Sequence, residues 1–279
     1  MNDSPSFRTR FLRFLQFLFG NRLLLALLGV SLIPLVTLGV AMYVVSSRAL
    51  YEEGSNKLEA VRTIKALGIE DYFATIHDHL RTLSNAQMVS SAMLDFSRSY
   101  DQILEEDLSE SLSSDPEEAD RQRRERLSQM QAELRTYYEG EFSQAYADRN
   151  NGVEPKIDPL INSLTDTAIT IQYHYILRNP NPPGRKEVLD RADDESKYSE
   201  FHEKYHPLLR SFVERFGFYD LFLVDIEGGE IVYSTAKEVD LGTSMTKGTL
   251  AMSNLGRVFQ KGEMGAWQDA VCFADYQPY

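Results

Sequence analysis

Residues 220–234 read DLFLVDIEGGEIVYS, and here the apolar pattern of the chain changes its period. Asp220–Asp225 alternates as a strand, Ile226-Glu227-Gly228-Gly229 has turn composition, and Glu230–Ser234 returns as a second strand. Alternation places Asp220, Phe222 and Val224 on one face, and Leu221, Leu223 and Asp225 on the other. Asp225 is placed to accept turn amide hydrogens, and Gly228 or Gly229 to take a left-handed conformation. A further helix near Thr249–Gln260 and a strand near Gln268–Tyr276 are expected to follow.

Upstream of this hairpin the pattern is helical. Ser196–Phe216 reads as one helix, preceded by Asn179-Pro180-Asn181-Pro182-Pro183-Gly184, a composition fit only for a loop. Arg48 to about Leu112 contains no Pro and reads as helix. Within it Ile69, Phe73, Ile76, Leu80 and Leu83 recur every three or four residues, a seam for another helix. Pairing of two copies through this long helix is the expected oligomeric arrangement. Ser113-Ser114-Asp115-Pro116-Glu117-Glu118 restarts a helix that runs to about Asp148: a polar cap, Pro in the first turn, then acids at the positive end of the dipole. A third helix is expected from about Pro159 to Leu177.

Nearer the N-terminus the chain changes solvent. Leu23–Ser47 (LLLALLGVSLIPLVTLGVAMYVVSS) carries no charged residue. As a helix it would extend roughly 37 Å, against about 30 Å for a bilayer's hydrocarbon core. A cleaved signal peptide, with Gly39 and Ala41 as the small-residue pair, is the competing reading, although a signal core is shorter. Residues 1–22 hold four Arg and one Asp, whereas residues 48–279 hold 25 Lys/Arg against 41 Asp/Glu. The positive-inside rule therefore puts the N-terminus in the cytoplasm and residues 48–279 outside. Residues 6–20 (SFRTRFLRFLQFLFG) read either as an interfacial amphipathic helix or as a basic tail that only orients insertion.

The fold class that results is membrane-anchored α+β: one transmembrane helix, long extracytoplasmic helices and a small antiparallel sheet. Four segments follow: a basic N-terminus (1–22), the span (23–47), a helical region (48–178) and a sheet-bearing module (179–279). The net charge of −13 argues against nucleic acid as a partner, and one Cys excludes an internal disulfide framework and a Cys-based zinc cage. No cofactor or metal is expected. His202-Glu203-Lys204-Tyr205-His206 does match H-E-x-x-H, the zinc-protease pattern. Pro207 disfavours helical geometry beside the second His, and Leu209 and Phe212 stand where an extended motif needs Gly and a third His. Hydrogen bonding where this helix meets the sheet is the expected role of both histidines.

The order of these parts resembles the outer region of bacterial methyl-accepting chemotaxis receptors. The stretches that carry the resemblance are DYFATIHDHLRTLSNAQMVSSAMLDF (71–96), YYEGEFSQAYADRN (137–150) and AITIQYHYILRNPNPPG (168–184). To these are added YSEFHEKYHPLLRSFVERFGFYDLFLVD (198–225) and GEIVYSTAKEVDLGTSM (229–245), which look like the entry helix and first hairpin of a Cache sensor, a PAS-like module. The resemblance implies a small extracytoplasmic ligand, an inner-membrane location and no catalysis by this part. It leaves the output open, since such sensors also sit on cyclases and histidine kinases. Polar and aromatic side chains suited to line a pocket are Tyr219, Asp220, Tyr233, Lys237, Asp240 and Tyr276. The plain alternative for each is a packed strand aromatic or a solvated loop charge. A Cache sheet has about five strands and only three are readable here, so the sequence looks like a piece of a longer receptor. Its last strand would then be poorly ordered or paired on one edge, and the piece prone to aggregate.

Overall fold

The computed structural model describes residues 11–12, 20, 22–109, 113–264 and 271–275. The chain divides into two compact units, Met1–Thr75 and Ile76–Tyr279. The first contains residues 22–75 of helix α1 (Arg22–Ser84, 63 residues), which begins with the apolar stretch and is long and apolar enough to cross a membrane. Over residues 22–75 its apolar side chains are exposed: Leu23, Val30, Leu35 and Val45 are all more than two-thirds exposed. An apolar surface on every side of a helix is stable only against another apolar phase or a partner.

The second unit is α+β. Helix α1 ends at Ser84 and α2 (Gln87–Ser109) starts anew, so the single helix expected over 48–112 is broken at Asn85 and Ala86. The cause is packing: Ala86, Leu83 and Met88 turn inward against the main core. Helix α3 (Pro116–Tyr137) starts as its composition requires, with the Asp115 carboxylate accepting from the Glu117 amide at 3.0 Å. It passes through a wide turn of five residues (Tyr138–Phe142) into α4 (Ser143–Arg149). The third helix is split into α5 (Ile157–Asn162) and α6 (Asp166–Gln172), because Thr165 caps α6 by accepting from the Ala168 amide. A second wide turn, Tyr173–Leu177, closes with Arg178 N–H donating to the Tyr173 carbonyl five residues back.

Helix α7 (Lys197–Phe216) has the expected bounds. The Ser196 hydroxyl accepts from the Ser199 amide, and Gly217 ends the helix in the left-handed region at φ 70°. Pro207 lies inside it as the expected span requires, and His206 is helical although the proline beside it disfavours that geometry. The ring faces solvent, and the carbonyl it deprives of a donor belongs to exposed Glu203, where water can serve it.

The hairpin is β1 (Phe222–Val224) against β2 (Ile231–Ser234), antiparallel, with Leu223 opposite Tyr233 and Val224 opposite Ile231. Val232 is the extra residue of a bulge, and the Tyr198 hydroxyl donates to its carbonyl at 2.8 Å. Asp225 accepts from the Glu227 and Gly228 amides, and Gly229 takes the left-handed position at φ 74°. Beyond β2, residues 242–245 run alongside it, through Gly242 N–H to the Ile231 carbonyl and an isolated bridge between Glu230 and Ser244. The C-terminal helix is preceded by a tight turn at Leu250–Met252 and covers Asn254–Met264 as α8. Residues 271–275, within the stretch expected as a further strand, are not in one. The rest of that expected strand lies outside the described residues.

One core joins α2, α7 and the hairpin through Phe96, Tyr175, Tyr198, Tyr205, Leu223 and Tyr233. A second joins α2, α3 and α6 through Leu108, Met130, Leu134, Tyr138 and Ile169. A third, under the far face of the hairpin, gathers Ile231, Met245 and Leu250 with Phe222 and Val224. The first core ties α2 and α7 to the hairpin, and it holds the polar cluster described next.

Candidate functional site

The residues after β2 form a tight polar turn, and Asp220 holds it. Its carboxylate accepts from the Ser234 hydroxyl at 2.7 Å, the Ala236 amide at 2.9 Å and the Leu221 amide at 2.6 Å. The Ser234 oxygen accepts in turn from the Lys237 amide at 2.9 Å. Burial raises the Asp220 pKa above the ordinary carboxylate value, outweighing these donors. Lys237 sits in the left-handed region at φ 56°, a conformation that side-chain-bearing residues rarely adopt. The turn thereby aims the lysine into the first core, where it is 1% exposed.

Helix α7 supplies the other half. His202, His206 and Arg210 recur every four residues and share one face. The His202 and His206 rings stack with centroids 4.4 Å apart. His206 Nε2 lies 2.7 Å from the Glu187 carbonyl and 3.0 Å from Lys237 Nζ, while its Nδ1 lies 2.7 Å from the Tyr233 hydroxyl. His202 Nδ1–H donates to the Asp190 carbonyl at 2.7 Å. Arg210 donates to the Glu187 and Val188 carbonyls and to the Asp190 carboxylate at 3.1 to 3.3 Å. Segment 187–190 is thus fastened to α7 by both imidazoles and one guanidinium.

Burial sets the charges in this cluster. It drives the Lys237 ammonium down to about 7, helped by the Arg210 charge and opposed by Asp220, Asp190 and Glu187. His206 is pushed down to about 3, by burial first and the Lys237 charge second. His202 is pushed well below its ordinary value by burial and then by the same lysine. Both imidazoles are neutral at physiological pH.

Of the six side chains proposed from sequence, Asp220, Tyr233 and Lys237 meet in this cluster. Tyr219 does not: it is 78% exposed and donates to Glu238 at 2.7 Å. Asp240 is half-buried in the loop beyond, where its carbonyl accepts from the Thr243 amide and hydroxyl. Tyr276 lies outside the described residues. Lys237, the only cation of the six, faces a histidine and a carbonyl rather than an opening. A surface depression lined by Arg121, Arg124, Ser128 and Gln129 is formed by α3 alone and touches none of the six.

The zinc-protease pattern is not assembled. Both ring nitrogens of His206 are engaged within the protein, His202 spends one on Asp190, and Glu203 is exposed and paired with Arg191 at 2.9 Å. Among the described residues no group of three His, Cys, Asp or Glu side chains is placed to hold a metal ion. Sequence reasoning missed Arg210 and the Glu187 carbonyl. The four-residue spacing from His202 to Arg210 was a signal for the first. No protein-family model, curated protein or solved structure matches the chain.

Proposed function

We propose that this chain is the ligand-sensing outer part of a bacterial transmembrane signalling receptor, of the methyl-accepting chemotaxis class. Residues 23–47 anchor it in the cell membrane with the N-terminus inside, and a small molecule is recognised outside, beside the hairpin. The reading is carried by one observation: the polar turn after β2 is coupled through buried contacts to α7, and α7 reaches α1. Phe216 at the end of α7 meets His79 of α1 with ring centroids 4.0 Å apart. A ligand that engages the exposed Tyr219 and its partner Glu238 acts on the same turn that holds Lys237 against α7. Differential contacts of that ligand with two positions of the turn are what would bias α1, as any population shift requires.

The test is a thermal-shift screen of small metabolites on the full chain in lipid nanodiscs, followed by recovery of each hit. A ligand that raises the melting temperature, is returned chemically unchanged and loses affinity in Tyr219→Ala supports the reading. Conversion of the hit to product overturns it in favour of an enzyme.

A further inference from the structure

The contacts of His206 fix its tautomer, and the tautomer conflicts with a charged Lys237. The Glu187 carbonyl at 2.7 Å can only accept, so His206 Nε2 carries the hydrogen and Nδ1 accepts from the Tyr233 hydroxyl. Lys237 Nζ lies 3.0 Å from that same Nε2. An ammonium presents only N–H bonds and cannot sit there, whereas a neutral amine turns its lone pair to the shared Nε2–H. The arrangement is that of an unprotonated lysine. The left-handed backbone of Lys237 is held by the turn that Asp220 and Ser234 fasten, which fixes the lysine against His206.

We propose that Lys237 and His206 form a proton-operated latch, in which protonation of the lysine switches the histidine tautomer and removes the His206 fastening of the Glu187 carbonyl, loosening segment 187–190 on α7. The Nε2 hydrogen passes to Lys237 Nζ along their 3.0 Å contact, and the resulting ammonium donates back to the bare Nε2. Nδ1 takes the hydrogen of the Tyr233 hydroxyl, which is replaced by one proton from solvent, so one proton is taken up in all and the imidazole ends neutral. Tyr233 ceases to donate to Nδ1, accepts from it, and turns its own hydrogen toward Thr235 Oγ1, now 3.4 Å away. The Glu187 carbonyl then faces a nitrogen lone pair at 2.7 Å and must move off, leaving Arg210 as its donor. The charged or titratable groups facing the lysine are His202, His206 and Arg210 from α7, Glu187 and Asp190 from segment 187–190, Asp220 from before β1, and Tyr233 from β2. Burial, helped by the Arg210 charge, lowers the lysine to about 7 and so places the switch near neutrality. This inference holds whether or not a ligand binds beside the hairpin.

The experiment is histidine-selective nitrogen NMR on the full chain in nanodiscs, titrated from pH 8.5 to 6, with hydrogen exchange of residues 186–190 measured in parallel. His206 should change from the Nε2–H to the Nδ1–H tautomer without forming imidazolium. Exchange of the Val188 and Leu189 amides, corrected for intrinsic rate, should rise roughly fivefold, the scale of one neutral hydrogen bond lost. Lys237→Met should keep Nε2–H and slow exchange across the whole range. An Nε2–H tautomer at both ends in the wild type, or an imidazolium at the acid end, overturns the latch. Should Lys237→Met fail to fold, the wild-type titration decides alone.

Discussion

Replacing Lys237 by Met removes a buried titrating group while keeping an unbranched stem in the same space. The folded pKa of Lys237 lies at about 7, against 10.5 for the free side chain. Below about pH 7 the lysine is charged in both states and the whole cost of burying it is present. Between about 7 and 10.5 the unfolded chain binds the proton and the folded one does not, so stability rises with pH. Above 10.5 the cost is gone. At about 1.4 kcal/mol for each pH unit of that window, the full cost is roughly 5 kcal/mol, and about 3 kcal/mol of it is relieved between pH 7 and 9. For a unit the size of Ile76–Tyr279 this is about 6–12 °C in melting temperature. Calorimetry of wild type and Lys237→Met in nanodiscs at pH 6.5, 8 and 9.5 measures it. The variant should melt higher at pH 6.5, and its advantage should shrink steadily as pH rises, because other groups titrate alike in both proteins. Parallel curves for the two proteins, or a variant less stable at pH 6.5, would refute the assignment of a buried, readily neutralised lysine.

Three further changes test the packing around the site. Asp220→Ala leaves the Ser234 hydroxyl and the Leu221 and Ala236 amides without their acceptor; a loss of about 2–4 kcal/mol is expected in the same melting assay. Gln172→Leu orphans the Tyr138 hydroxyl and the Val239 and Leu241 carbonyls, all of which the Gln172 amide now serves, and should cost about 3 kcal/mol, with Gln172→Glu less harmful to the Tyr138 contact. Gly242→Ala places a methyl 3.0 Å from Ala168 Cβ and 3.1 Å from Ile171 Cγ2 at a φ of 81°, so it should destabilise by at least about 2 kcal/mol, whereas Gly152→Ala, also at positive φ but in open space, should cost less.

Elements with chemical punctuation were legible in the sequence. Ser196 and Gly217 bound α7, Asp115-Pro116 starts α3, and the Asp225 to Gly229 turn sets the hairpin. Breaks made by packing alone were not. Nothing in Ser84-Asn85-Ala86 announces an interruption, and the two wide turns at 138–142 and 173–177 arise where neighbouring helices draw Tyr138 and Tyr173 inward. Pro207 is tolerated inside the expected span of α7 because solvent on its side of the helix makes a missing donor cheap. The site was half legible. Tyr219 and Asp220 are adjacent and chemically similar as pocket candidates, yet one faces water and the other is enclosed by the turn it holds. His202 and His206 could be assigned to the helix–sheet contact from their face, but their partners at 187–190 are backbone carbonyls of a loop, and no side-chain identity encodes them.

The proposed function requires residues 48–279 to lie outside a membrane that residues 23–47 cross. The direct measurement is thiol labelling in intact spheroplasts with a membrane-impermeant maleimide, in a Cys272→Ser background carrying a single cysteine at Glu154 or at Ser4. Glu154 is exposed, so its reactivity reports location rather than burial. Labelling at 154 in intact spheroplasts, with labelling at 4 only after lysis, is the predicted result. Labelling at 4 but not 154 in intact spheroplasts, or release of position 154 into the soluble fraction, contradicts an anchored outer sensor.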